Sequence, residues 1–108
     1  MTIFLVSTWV EKPDKLAESM AFSKKYFAWM KERPDLFKEA KSYKVFSHML
    51  GGYAGGYVEM IEFENLADLE KWFNRYNSDK EHMTKIWPEF LPLIVPGTFS
   101  MNVWTSVQ

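Results

Sequence analysis

Alternation in the first extended segment leaves no side for water. Within residues 2 to 10, Phe4, Val6 and Val10 leave one face of a strand and Ile3, Leu5 and Trp9 the other, because successive side chains point in opposite directions. Residues 57 to 64 repeat the pattern, with Val58 and Met60 opposing Tyr57, Ile61 and Phe63. Both segments therefore belong in the interior of a sheet that needs cover on each face. Helices on one face leave several hundred square ångströms of apolar surface on the other, about the size at which a patch marks a partner. A second copy of the same sheet is the simplest cover, so the chain is expected to form a homodimer.

The order of elements follows from local signals. Strand one ends at Glu11-Lys12-Pro13, and Pro13 suits the start of a helix that runs to Glu32 or Arg33, before Pro34. Along that helix Leu16, Met20, Ser23, Phe27 and Met30 follow core-face spacing, and Phe22, Tyr26 and Trp29 make a second stripe. One stripe is expected to meet the sheet and the other something else. Residues 41 to 50 and 57 to 64 alternate around Gly51-Gly52-Tyr53-Ala54-Gly55-Gly56, which predicts an antiparallel hairpin. Asn65 caps a second helix with Leu66, Leu69, Phe73 and Tyr76 on its apolar face. Met83, Ile86, Trp87 and Phe90 line a further helical stretch that Pro88 is expected to interrupt, and Pro96-Gly97 turns the chain into a fourth strand ending at Gln108. The result is one domain over residues 1 to 108, α+β, with β-α-β-β-α-β order and a four-stranded antiparallel sheet.

Thirteen basic against fourteen acidic residues set up no field for phosphate backbones or anionic lipid, so neither nucleic acid nor a membrane is an expected partner. The same strand order occurs in RNA-recognition domains, and Phe4 and Tyr57 partly match their base-stacking rings, but Glu59 stands where an aromatic ring is required. Absence of cysteine removes thiolate chemistry and disulfides. The first residues lack the basic start and long apolar run of a secretory signal, which predicts a cytoplasmic location.

The glycine-rich hairpin, the segment Tyr57-Val58-Glu59-Met60-Ile61-Glu62-Phe63-Glu64-Asn65 and the Pro96-Gly97-led last strand together resemble the dimeric α+β barrel superfamily. The resemblance spans nearly the whole chain. It implies a ferredoxin-like subunit whose sheet packs face to face with that of a twin, forming a dimeric α+β barrel. Members include antibiotic-biosynthesis-type monooxygenases, haem-degrading monooxygenases, lactone isomerases and polyketide cyclases, so fold does not settle function. Haem-degrading members carry a strand-one Asn, a helix-two Trp and, ten residues later, an iron-ligating His. Trp72 and His82 have that spacing here, whereas Ser7 stands at the strand-one position. The resemblance leaves cofactor use open between none and haem.

Candidate chemistry rests on few residues. An imidazole is the side chain suited to proton transfer near neutral pH; His48 is either a general base or a satisfied, partly buried structural residue, His82 is a general base, an iron ligand or an exposed, cap-like residue, and two histidines so far apart make a weak metal site. Of Glu59 and Glu62, parity sends one into the interior without choosing between them. That carboxylate either pairs with Lys41, Lys44 or Arg75 or acts as a pocket acid with a raised pKa. Trp9, Tyr57, Trp72, Asn102 and Trp104, with Ser7, are candidates to line an apolar ligand pocket; their alternative role is core or dimer contact. The leading expectation is a homodimer that binds a flat apolar molecule between sheet and helices, with a monooxygenase-like or isomerase-like step. The alternative is a non-catalytic binding module of the same fold.

Overall fold

A computed structural model describes residues 2 to 50 and 55 to 107. Four strands, β1 (Ile3–Val10), β2 (Ser42–Ser47), β3 (Gly56–Phe63) and β4 (Ser100–Thr105), form one antiparallel sheet in the order β2-β3-β1-β4. Helix α1 (Leu16–Glu32) follows β1, and α2 (Leu66–Ser78) follows β3. This is the expected β-α-β-β-α-β order of a ferredoxin-like subunit, with the two doubly apolar strands at the centre.

Local chemistry accounts for most boundaries. Pro13 opens a short 3-10 turn, Pro13–Lys15, rather than α1 itself. Helix α1 stops at Arg33, whose N–H still reaches the Met30 carbonyl at 3.1 Å, because the following proline disfavours helical geometry at that residue. The Asn65 side chain accepts a hydrogen bond from the Asp68 N–H at 2.9 Å, satisfying one of the open donors at the start of α2. Ahead of β4, Gly97 adopts φ +81° after Pro96, and the Thr98 N–H closes the turn on the Val95 carbonyl at 3.2 Å. Of the expected hairpin loop, residues 51 to 54 lie outside the described residues.

Two sequence expectations about helix faces are corrected. The buried stripe of α1 is Ser19, Phe22 and Trp29, whereas Leu16, Met20 and Phe27 are exposed. The aromatic stripe wins because its rings bury more apolar area than the flexible Leu and Met side chains. On α2 the buried residue is Trp72, flanked by Leu69 and Tyr76, while Leu66 and Phe73 are exposed. Pro88 also fails to interrupt its helix. A π-helical turn, His82–Ile86, precedes it, with the Trp87 N–H bonded to the His82 carbonyl, and α3 (Trp87–Phe90) continues with Pro88 in its first turn. The wider π turn receives a residue that has no N–H to give and whose ring would crowd the preceding turn of an α-helix.

Register assigns every strand side chain to a face. Ile3, Leu5, Ser7 and Trp9 stand beside Phe63, Ile61, Glu59 and Tyr57 on the helix side. There Ile3, Leu5, Ile61 and Phe63 pack on Trp72, while Phe22, Trp29, Leu36, Ile86 and Leu93 form a second core beneath α1. The opposite face carries Phe4, Val6, Val58, Met60, Phe46 and Trp104, with no helix among the described residues over it, and of these side chains Val6 is buried by its neighbours. Phe46 and Trp104 are exposed there. Phe4 and Tyr57 fall on opposite faces, so they form no common stacking platform of the kind RNA-recognition domains use. No helix among the described residues is long and apolar enough to cross a membrane.

Candidate functional site

Between the sheet and the helices lies a cavity of about 510 Å³, within the range that holds small-molecule ligands. Its floor is the helix-side row Ser7, Trp9 and Glu11 of the first strand and its extension, with Tyr57 and Glu59 of β3 alongside. Its walls are aromatic: Phe22 and Tyr26 from α1, Trp72 and Tyr76 from α2, and Trp87, Phe90 and Phe99 from the segments that lead to β4. The rings hold one another in place. Trp9 lies nearly parallel to Tyr57 at 6.1 Å and edge-on to Phe90 at 5.4 Å, and Trp72 stacks on Tyr76 at 4.7 Å. At the rim, Phe27, Phe73 and Met83 are exposed and apolar. An apolar molecule therefore meets hydrocarbon before it meets the interior.

Register resolves the choice that strand parity left open. Glu59 faces the cavity, paired across the ladder with Ser7, and Glu62 faces the other side, where its carboxylate accepts a hydrogen bond from the Ser42 hydroxyl at 2.9 Å. Glu59 accepts a short hydrogen bond from the Tyr43 hydroxyl. The cation partners expected for it go elsewhere: Arg75 makes a bidentate pair with Glu39 at 2.6 Å on both contacts. What exposure Glu59 retains is to the cavity, so burial pushes its carboxyl above the ordinary range, opposed by the Tyr43 and Ser7 hydroxyls. The Ser7 hydroxyl, fully buried, makes no hydrogen bond of good geometry to it or to any other group. Nearby, the Tyr26 and Tyr76 hydroxyls hydrogen-bond at 2.8 Å, and burial raises the pKa values of Tyr26, Tyr43 and Tyr76. These three phenols stay protonated and supply neutral donors around a single carboxylate.

Glu11 marks the far end of the same row. It is buried, held by a hydrogen bond from its N–H to the Gly55 carbonyl at 2.9 Å, and Gly55 sits at φ +80° with no room for a side chain, since a Cβ would lie 3.1 Å from the Glu11 carbonyl oxygen. Burial raises its pKa as well, opposed by Trp9, Ser19 and Tyr57. Neither Trp9 Nε1 nor the Ser19 hydroxyl makes a hydrogen bond of good geometry.

His82 is enclosed, only 3% exposed, against the expectation of a cap-like surface position. It lines the cavity with its ring 3.6 Å from that of Tyr76, and its backbone N–H donates to the Asp79 carboxylate at 3.0 Å. Burial lowers its pKa, so the ring is neutral, and Nδ1 has no partner. Trp72 and His82 thus line the same cavity. The lining nevertheless does not fit haem. Among the described residues its only formal charges are the carboxylates Glu11 and Glu59, with no lysine or arginine to meet the two propionates. Among the described residues no group of three or more His, Asp or Glu is placed to hold a metal ion.

Three other sequence candidates lie outside the cavity. His48 is exposed beyond the end of β2, its N–H bonded to the Gly56 carbonyl at 3.0 Å. Asn102 and Trp104 stand opposite Val6 and Phe4 on the uncovered face, which corrects their assignment to the pocket lining. The cause is parity: it puts 102 and 104 one step out of phase with Met101, which does line the cavity. Sequence reasoning passed over Tyr26, Tyr43, Tyr76, Ser19 and Glu11. For Glu11 a signal existed, since it continues the Ser7, Trp9 alternation, but it reads locally as the strand's terminating turn.

No protein-family model matches the chain, and no curated protein matches it. Solved structures do. A NIPSNAP family protein from Agrobacterium tumefaciens superposes with TM-score 0.74 at 12% identity, covering 97% of this chain and 92% of that one. An antibiotic biosynthesis monooxygenase superposes with TM-score 0.68 at 14% identity, covering 98% and 99%. A dimeric protein of unknown function and ferredoxin-like fold from Bacteroides fragilis gives 0.65 at 13%, covering 95% and 94%. Identities this low speak to the fold alone. With its strand order, its two helices on one face and these likenesses over almost its full length, the chain has a ferredoxin-like α+β fold.

Proposed function

We propose that this protein is a homodimer whose subunits each bind a flat, largely apolar small molecule between sheet and helices and act on it by proton transfer, with Glu59 as acceptor and donor. The observation that carries the reading is the single carboxylate set among phenols at the inner end of an aromatic cavity. A carboxylate whose pKa is raised toward the working pH is a stronger base than an exposed one. The Tyr43 hydroxyl fixes its orientation, and the ring walls hold a planar substrate in register with it. The unpartnered Ser7 hydroxyl, beside Glu59, is placed to hydrogen-bond a substrate oxygen.

Both reaction types that the resemblance suggests start with the same step: a substrate C–H next to a carbonyl or aryl group gives its proton to the Glu59 carboxylate, leaving a delocalised carbanion. In an isomerisation the proton returns to another carbon and nothing else changes. In an oxygenation the carbanion reduces dioxygen, so that a CH2 becomes a carbonyl, one oxygen atom stays in the product and the other leaves as water. His48 has no part in this site, and His82 serves as a neutral wall residue.

Anthrone, a flat tricyclic ketone with an activated CH2, is a suitable probe. The protein is expected to accelerate its C–H exchange in deuterated water, and Glu59→Gln to slow that exchange by about 10²-fold or more, the typical worth of a positioned base. The acid limb of the rate profile should lie above the usual carboxylate range and vanish in the variant. Equal exchange rates in wild type and Glu59→Gln would overturn the reading.

A further inference from the structure

The cavity has two polar ends rather than one. At the inner end Glu59 lies beside the fully buried Ser7 hydroxyl. At the outer end Glu11 lies near Ser19, which is 3% exposed. Ser7 and Ser19 line the cavity, each beside a glutamate, and neither hydroxyl makes a hydrogen bond of good geometry. Such groups are costly to leave unpaired in a protein interior, and here each stands where a ligand atom would sit. Ser7 and Glu11 are four residues apart on the same side of one extended segment, which separates the two ends by roughly 13 Å at ~3.3 Å per residue. Between them the surface is ring after ring: Trp9 and Tyr57 below, Phe22 and Phe90 above.

The charge of this lining is one-signed. Among the described residues Glu11 and Glu59 are its only formal charges. Lys24 is exposed on α1 and borders a shallow groove that shares Glu11 and Ser19 with the cavity, but it does not line the cavity itself. The remaining polar side chains there, the phenols, the serine hydroxyls, the tryptophan N–H groups, Asn77 and His82, are neutral, the last because burial lowers its pKa.

From this arrangement we infer that the cavity selects an uncharged polycyclic ligand carrying a hydroxyl-type group at each end and rejects ligands that carry a carboxylate. A hydroxyl donates to the glutamate and accepts from the serine at each end. A carboxylate placed at either end meets another carboxylate in an enclosed site of low polarity, where like charges repel strongly. The inference rests on the ligand-binding reading above and adds to it the charge and the two-ended polarity of the ligand.

A matched series tests it: naphthalene-2,6-diol, 6-hydroxy-2-naphthoate and naphthalene-2,6-dicarboxylate, titrated into the wild-type protein at neutral pH and followed by quenching of tryptophan fluorescence and by calorimetry. The diol is expected to bind, the hydroxynaphthoate at least tenfold more weakly, and the dicarboxylate more weakly again. Glu11→Gln and Glu59→Gln, which keep shape and hydrogen bonding, are each expected to bring the hydroxynaphthoate to within about threefold of the diol. The wild-type series stands on its own if either variant folds poorly. Carboxylates that bind as tightly as the diol would overturn the charge selection and leave the ligand-binding reading intact. Failure of all three to bind would overturn both.

Discussion

Replacing Trp104 by alanine tests whether the uncovered sheet face is a subunit interface. The ring stands on that face beside Phe4, with Phe46, Val58 and Met60 further across it, and 52% of the residue is exposed in the single chain. A tryptophan presents up to ~250 Å², so ~130 Å² awaits cover, and at ~25 cal/mol per Å² that cover contributes ~3 kcal/mol. Alanine retains a minority of it, leaving a loss of ~2 kcal/mol per copy. A two-fold interface contains the residue twice, so the dimer loses ~4 kcal/mol, equivalent to about a thousandfold weaker association. Sedimentation velocity over a dilution series measures this directly, with far-UV circular dichroism to show that the subunit stays folded. It should stay folded, because Trp104 belongs to neither core. Met20→Ala, at an exposed residue on the helix side, is the control and should leave association within twofold of wild type. Trp104→Ala protein that dissociates at the same concentration as wild type, or wild type that is already monomeric at micromolar concentration, would refute the two-faced reading of the sheet.

Two further outcomes follow from the packing and the ion pairs. Trp72→Ala should cost ~3–5 kcal/mol of stability in a denaturant titration, since Trp72, only 2% exposed, joins the sheet core to Tyr76 and the cavity; a loss under ~1 kcal/mol would mean that the ring is not the keystone described here. Asp79, held by the Arg33 guanidinium at 2.7 Å, has its carboxyl kept below the ordinary range. Its contribution is therefore complete above the carboxyl's unfolded pKa and fades as pH falls through the lower folded one, because the unfolded chain takes up the proton first. Asp79→Asn should lower stability by about 1–2 kcal/mol at neutral pH and flatten the acid side of the stability curve; an unchanged acid slope in thermal melts would count against the pair.

Parity in β1 and β3 was enough to place both strands centrally and to predict cover on each face, since period two ties a side chain to a face whatever the tertiary context. Asn65, Pro13, Arg33-Pro34 and Pro96-Gly97 marked boundaries because caps and turns depend on a few adjacent residues. Trp72 and His82 both line the cavity, although His82 reads in the sequence as an exposed or cap-like residue, and nothing in the sequence says that no cation lines the cavity among the described residues. That fact depends on where Arg75 goes, and its partner is Glu39, 36 residues away.

Sequence alone, then, determined the order of elements along the chain, the doubly apolar character of β1 and β3 and the presence of one carboxylate on each face of β3, all consequences of short-range signals. Only the tertiary structure decided that Glu59 rather than Glu62 faces the cavity, that the aromatic stripe of α1 turns inward, and that Asn102 and Trp104 turn away. Those outcomes depend on which face the helices settle on, a choice made by burial summed over distant residues, and no local pattern contains that sum.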